Sequence, residues 1–320
     1  MTAPRVGIIG ARRARQGLGP FVARDLVAAG ARVPCFAVTS ERSIAPALSQ
    51  IEQHAGVSPR GYADVERMLD AEALDAVAIL SPAESHEAHL TRAAERGLPT
   101  LCEKPLLWGG DALAQRAAQR VAAFAQRGIL LYENCQWPFT LPDFERLHPA
   151  ALTTPPRRFR MQLQPASRGL AALGDSLSHP LSLLQALLPG DAPAISDLEV
   201  ATTAADARGL TLCFRYRSAG ATCAVEVVLG YSEQLPRRAA IEIDGHLAER
   251  VVAAETYRLS FADSDRIVAI DDPLSTLVAD FVALLRTPDE AGHRSRARDI
   301  EQRMRLLAEL ASRYQEQEAP

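Results

Sequence analysis

Short, wholly apolar runs, each followed by a segment of helical period, occupy the first part of the chain and limit its fold more than any other feature. Residues 6–9 read VGII and residues 76–80 read AVAIL, with no polar face on either. A strand that is apolar on both sides must be covered on both sides, the condition of a parallel sheet between two helical layers. Residues 32–38, 99–102 and 129–133 read as further strands of the same kind. Helical spacing falls between them at 20–29, 44–54, 63–69, 86–96 and 112–126. The expectation is a doubly wound α/β domain over residues 1–133.

After Pro138 the pattern changes. Segments 158–164, 197–203, 209–216, 223–231 and 239–243 mostly alternate and are joined by short polar turns. Such a series predicts a largely antiparallel sheet. A helix is expected at 177–187, and two more at 274–286 and 296–317. In the last, Ile300, Met304, Leu307 and Leu310 recur every three or four residues. Residues 134–320 are therefore expected to form an α+β domain with a mostly antiparallel open sheet, its final helices free to pack back on the first domain.

Composition narrows the classes. An apolar fraction of 48% suits a packed core. A net charge of −4 and a pI near 6.0 give no basic surface for nucleic acid. The opening MTAPRVGIIG has no signal-peptide pattern, and no apolar run reaches the roughly 18–20 residues of a membrane span. Five cysteines are scattered without a C-x-x-C, as buried thiols of a reduced compartment would be. His54, His89, His148, His246 and His293 show no metal spacing, so no metal site is expected. The expectation is a cytoplasmic protein that acts on a small molecule, with no nucleic-acid or membrane partner.

The stretch VGIIGARRARQGLGPF, residues 6–21, leads from a strand through a glycine-bearing loop into a helix. A helix start offers unpaired N–H groups and a positive dipole end to an anion. The G-x-G-x-x-G spacing of a dinucleotide loop would need glycine at 12 and 15, where arginines stand. The simplest account is a longer loop in a Rossmann fold. Gly10 opens the turn, Gly17 and Gly19 make the close approach, and Arg12, Arg13 and Arg15 lie on the excursion as phosphate contacts. A solvated basic loop without a ligand is the alternative.

At the end of the second strand, NAD enzymes usually hold a carboxylate for the ribose. Thr39 or Ser40 stands there, followed by Glu41 and Arg42. Ser40 with Arg42 favours a 2′-phosphate and hence NADP over NAD. Glu41 leaves NAD open, and Arg42 could equally begin the next helix on the surface.

Two further motifs lie at strand ends. The apolar strand at 76–80 runs into Ser81 and Pro82, with His86 beginning a helix. The strand at 99–102 ends in Glu103-Lys104-Pro105. Proline keeps Lys104 out of a helix and at the strand tip.

Together these motifs resemble the Gfo/Idh/MocA family of NAD(P)-dependent oxidoreductases, the glucose-fructose oxidoreductase and inositol dehydrogenase group. Ser81-Pro82-Ala83-Glu84-Ser85-His86 resembles the family's T-P-x-x-x-H, and Leu101 to Leu106 its E-K-P segment. Asp175-x-x-x-His179 is similar to its D-x-G-x-H-x-x-D helix, and Asn134-Cys135-Gln136-Trp137, more loosely, to its N-x-R-F segment. The resemblance implies NAD(P) bound by Gly10, Arg12, Arg13, Gly17, Gly19, Ser40, Arg42, Ser81, Pro82, His86, Glu103 and Lys104. It implies Lys104 as the group that orients substrate and assists proton transfer, His179 as acid/base, and Asp175 as a carboxylate placing the substrate. Asn134, Gln136, Trp137 and Ser182 are weaker substrate candidates. The second domain would mediate oligomer contacts, favouring a homodimer or tetramer.

The chain departs from that pattern at three points. Leu177 replaces a glycine, Ser182 replaces an aspartate, and Gln136 removes a permanent positive charge. Pro180 suits a first helical turn and would set His179 at a helix start. Asp175 could merely cap its own helix, and His179 could be a capping residue without a catalytic role. The reaction expected is hydride transfer between nicotinamide and a small polyol, sugar or related carbonyl or alcohol. The alternatives are reduction of a C=N or C=C bond on the same fold, or a catalytically silent dinucleotide-binding sensor or scaffold.

Overall fold

A computed structural model describes residues 2–12, 17–202, 209–253 and 258–318. The chain divides into two compact units, one formed by Met1–Asn134 with Leu274–Glu301 and the other by Cys135–Pro273 with Gln302–Pro320.

The first unit begins with β1 (Val6–Ile9), α1 (Gly19–Ala28), β2 (Cys35–Ala37), α2 (Ile44–Ala55), β3 (Arg60–Tyr62) and α3 (Val65–Ala71). It continues with β4 (Ala76–Ile79), α4 (His86–Glu95), β5 (Thr100–Cys102), α5 (Leu113–Ala125) and β6 (Leu131–Glu133). Its six strands lie parallel in the order β3-β2-β1-β4-β5-β6. This is the Rossmann order, whose strand sequence reverses between β1 and β4. β1 and β4 are buried along their whole length, as their unbroken apolar runs require. Local signals end the helices: Asp64 Oδ1 accepts from Arg67 N at 2.8 Å to cap α3, and Gly56, at φ +66°, closes α2.

The second unit holds α6 (Leu141–Leu147), β7 (Arg158–Leu163), α7 (Gly169–Ser176), α8 (Ser178–Leu187), β8 (Ala194–Thr202), β9 (Gly209–Ser218) and β10 (Ala221–Gly230). There follow β11 (Ala239–Ile243), β12 (His246–Val252), β13 (Leu259–Ala262) and β14 (Ile267–Ile270). The eight strands are ordered β14-β13-β12-β11-β7-β10-β9-β8, antiparallel except where β10 runs parallel to β7. Alternation sorts the two faces. Phe159, Met161, Leu212, Phe214, Val227 and Ile241 are buried on one. The other carries Arg160 paired with Glu226 at 3.1 Å and Arg215 paired with Asp197 at 3.4 Å.

Two final helices, α9 (Pro273–Arg286) and α10 (Glu290–Glu318), complete the chain. Nearly all of α9 packs in the first unit, where Leu277, Val278 and Phe281 are buried. The first part of α10 belongs to the first unit and the remainder to the second. Ile300, Met304, Leu307 and Leu310 are all buried, as their spacing requires. Among the described residues no helix is long and apolar enough to cross a membrane.

Several local expectations are corrected. β3, α6 and β12 to β14 have no counterpart in the sequence reading, and β2 is shorter than residues 32–38. The helix expected at 177–187 is α8, but α7, which has no counterpart in the sequence reading, precedes it, and Leu177, at φ −70° and ψ −21°, joins the two with helical dihedrals. Leu177 N donates to Leu173 O at 2.9 Å and Leu177 O accepts from Leu181 N at 3.1 Å. His179 is therefore not at a free helix end, and Asp175 lies in the last turn of α7 rather than at an N-cap.

Candidate functional site

In the first unit the site residues gather at the carboxyl ends of β1, β2, β4 and β5. Gly10 follows β1 at φ +86°, and its N donates to Ala37 O at 3.0 Å. A Cβ there would stand 2.5 Å from Ser81 N. A Cβ on Gly19 would stand 2.2 Å from Ala11 O. Both glycines thus serve close backbone approach, as a dinucleotide loop demands. Gly17 and Leu18 lead into α1, whose first turn holds no acidic residue and no side-chain cap. Its N–H groups suit an anion. Arg13 and Arg15 lie outside the described residues.

Beyond β2, Arg12 Nη1 donates to Ser43 Oγ at 3.4 Å, and Ser43 Oγ lies 2.9 Å from Ser40 Oγ. Arg12, Ser40 and Ser43 therefore form one polar group. Ser43 had no place in the sequence reading, because a lone serine before a helix carries no distinguishing pattern. Glu41 and Arg42 are exposed on the 3₁₀ turn between them.

The Ser-Pro and E-K-P turns are joined by buried His86. Its Nε2 is 2.8 Å from Ser81 O, and its Nδ1 is 3.1 Å from Pro105 O and 3.2 Å from Leu106 O. The Lys104–Pro105 peptide is cis. Leu106 N donates to Glu133 Oε1 at 2.8 Å, fixing the far side of the turn to β6. Ser81 Oγ lies 2.7 Å from Ser85 Oγ, and Pro82 is exposed.

Glu103 Oε2 accepts from Lys104 N at 3.2 Å and Oε1 from Asn134 Nδ2 at 2.9 Å. Burial pushes the Glu103 carboxyl up to about 7, against the downward pull of the Lys104 charge and of these two donors, while Glu133 adds to the rise. Asn134 is buried, and its Oδ1 has no partner among the described residues.

In the second unit, Asp175 and His179 are four residues apart on the joined helices α7 and α8, so they share a face. Asp175 is exposed and accepts a hydrogen bond from Ser167 Oγ. Ser182 Oγ donates to His179 O at 2.8 Å, so this hydroxyl is committed to the helix backbone. Trp137 is buried, its ring centre 6.3 Å from that of His179 in an edge-on arrangement. Arg250 Cζ stands 5.6 Å from the centre of the Trp137 ring. Gln136 precedes Trp137 and accepts from Phe139 N through its carbonyl at 3.1 Å. Among the described residues no cluster of His, Cys, Asp and Glu is arranged to hold a metal ion.

Comparison with known proteins bears on the fold of the chain. Residues 4–133 match the family described as oxidoreductase family, NAD-binding Rossmann fold. An inositol 2-dehydrogenase of Streptomyces avermitilis is 29% identical over 192 residues, 58% of this chain; the chain spans about half that relative's length, 54%. The UDP-N-acetylglucosamine 3-dehydrogenase of Acidithiobacillus ferrooxidans shares the fold, with a TM-score of 0.67 and 19% identity over 96% of this chain and 98% of that one. A 3-ketoreductase mutant from Actinomadura kijaniata, solved with TDP-benzene and NADP, does so with a TM-score of 0.68 and 19% identity over 96% of each. The match to the Gfo/Idh/MocA oxidoreductase family thus covers the Rossmann domain, residues 4–133.

Proposed function

We propose that the protein is an NAD(P)-dependent oxidoreductase that interconverts an alcohol and a carbonyl on a small polyol, sugar or related metabolite. The observation that carries this reading is the pair of glycines whose backbone would be blocked by a side chain, Gly10 against Ser81 and Gly19 against Ala11. They stand next to an E-K-P turn that His86 ties to the same strand ends. The similar proteins, an inositol 2-dehydrogenase, a UDP-N-acetylglucosamine 3-dehydrogenase and a 3-ketoreductase, support the substrate class.

Gly10, Gly17, Gly19 and the first turn of α1 would hold the dinucleotide's pyrophosphate. Arg12, Ser40 and Ser43 would meet the adenosine ribose. Their hydroxyls and guanidinium suit a 2′-phosphate, which supports NADP as the preferred cofactor, with NAD as the alternative. The bound nicotinamide supplies or accepts the hydride. Lys104 offers an ammonium to the developing oxyanion, and His179 takes or returns the hydroxyl proton. Asp175, one helical turn before His179, would accept from a substrate hydroxyl.

One observation favours a second reading, reduction of a C=N or activated C=C bond. Ser182 stands where the resemblance would set a second carboxylate, and its hydroxyl is spent on His179 O. Such a reaction needs less apparatus around a carbinol. Titration with NADPH and NADH, followed by turnover on polyols, keto-sugars and imines, separates these readings. Absence of nucleotide binding defeats the proposal. Nucleotide binding with no turnover on any class points to a sensor. Activity unchanged in Lys104→Ala and His179→Ala removes the catalytic assignment.

A further inference from the structure

Arg250 is an arginine in the wrong environment for a structural residue. It lies on β12, between Ala239 of β11 and Phe261 of β13 in register. Both neighbours are buried and apolar, so the side chain leaves the sheet on its core face. An arginine in such a place is normally paired with a carboxylate. Here no carboxylate among the described residues lies within ion-pair distance. The guanidinium donates from Nη2 to Arg237 O at 3.1 Å and stacks toward Trp137, while its Nε is buried without a partner. Burial holds its pKa below the usual arginine value, and no countercharge among the described residues offsets it.

A half-buried cation with a buried N–H donor left without a partner costs stability unless something offsets it. Two neutral partners, a ring face and one carbonyl, compensate weakly. The guanidinium's planar fork matches the oxygens of a carboxylate or phosphate. Its position selects which anion. The Trp137 ring centre lies 5.6 Å from Arg250 Cζ and 6.3 Å from the centre of the His179 ring. Gln136, beside Trp137, is uncharged, so Arg250 is the cation that faces this ring among the described residues.

We infer that Arg250 binds the anionic group of the substrate, and that the substrate is a sugar or polyol carrying a carboxylate or a phosphate rather than a neutral one. This rests on the proposed function through one point, the reading of His179 as the group beside the reacting carbon.

The test is calorimetric titration of the whole chain with D-glucuronate, D-glucose 6-phosphate and D-glucose, which share a ring and differ in charge. Wild type is compared with Arg250→Gln and Arg250→Lys, and NADPH is titrated in parallel. At least one anionic sugar is expected to bind tenfold or more tightly than glucose. Arg250→Gln should lose about 10- to 100-fold of that affinity, the range of a hydrogen bond to a charged group. Arg250→Lys should fall between, and NADPH affinity should not move. The anionic sugar that survives tells carboxylate from phosphate. Equal binding of glucose, no measurable binding of either anion, or an Arg250→Gln variant of unchanged anion affinity overturns the inference. If Arg250→Gln does not fold, judged by circular dichroism, competition of inorganic phosphate against the sugar on wild type and on Arg250→Lys decides it. Anion binding without NADPH binding would defeat the proposed function and leave Arg250 standing. NADPH binding without anion preference would do the reverse.

Discussion

Asn134 Nδ2 donates a 2.9 Å hydrogen bond to Glu103 Oε1, joining the residue after β6 to the residue after β5. The carboxylate it meets is raised to about 7 from 4.5, chiefly by burial. The sign of the consequence follows. Between those values the folded chain keeps a proton on Glu103 that the unfolded chain has released. Stability from this group is therefore full below about 4.5, falls as pH rises toward about 7, and is level above. Glu103→Gln removes the slope. The difference in melting temperature, variant minus wild type, should be more favourable to the variant at pH 8 than at pH 5. Equal differences at the two values would show that Glu103 stays ionised throughout.

His86 bridges Ser81 O and the carbonyls of Pro105 and Leu106 from a buried position. Replacing it with alanine leaves these acceptors facing an empty space. The expected loss is about 2–3 kcal/mol, from unsatisfied polar groups and the cavity together. Urea unfolding should show a lower midpoint with an unchanged slope. Turnover should fall further than nucleotide affinity, because the turn that carries Lys104 is released at one end. An alanine variant with wild-type turnover would confine His86 to folding.

Much of this was legible before any coordinates, and the residues say why. β1 and β4 are buried on every side, so their apolar runs could be read without ambiguity. β3 and β14 are edge strands with exposed positions, and RGY or IVAI out of context carries no alternation. α7 escaped because Gly169, Gly174, Asp175 and Ser176 are poor helix formers. Packing of Ala172 and Leu173 into the core overrides that propensity. The glycines at 10 and 19 were identifiable from their loop. Ser43 and Arg250 were not, since a serine before a helix and an arginine in a strand acquire meaning only from what stands next to them.

Gly19 tests the phosphate loop. A methyl group there would lie 2.2 Å from Ala11 O and 2.6 Å from Ala11 C, both backbone atoms that no rotamer change can move. Gly19→Ala must therefore shift either the start of α1 or the segment after β1. The expected cost is about 1–3 kcal/mol of overpacking. NADPH affinity should drop tenfold or more, measured by quenching of nucleotide fluorescence. Gly97→Ala, where a Cβ meets nothing within 4 Å, is the control: it should pay only for its backbone angle and leave affinity unchanged. Equal affinities for the two variants would place the dinucleotide elsewhere.

Tyr132 supplies the last prediction. Its hydroxyl donates to Asp280 Oδ2 at 2.6 Å, and Arg296 reaches the same oxygen at 3.2 Å with its guanidinium 5.4 Å from the Tyr132 ring. β6, α9 and α10 are thus pinned at one point inside the first unit. Tyr132→Phe removes the hydroxyl but leaves Asp280 its arginine, so the loss should be about 1–2 kcal/mol. Burial and the Asp280 bond push the phenol well above 10.0, its ordinary value. A raised pKa stabilises fully below the unfolded value and fades as pH climbs from there toward the folded value. The gap between wild type and Tyr132→Phe should therefore stay constant from neutral pH and begin to change only above about pH 10. There the unfolded wild type releases its phenolic proton while the native state holds it, which removes stability from wild type and not from the variant. The gap then narrows. A gap that widened there would mean the native phenol ionises first, and the Asp280 bond would not be the link that holds the C-terminal helices.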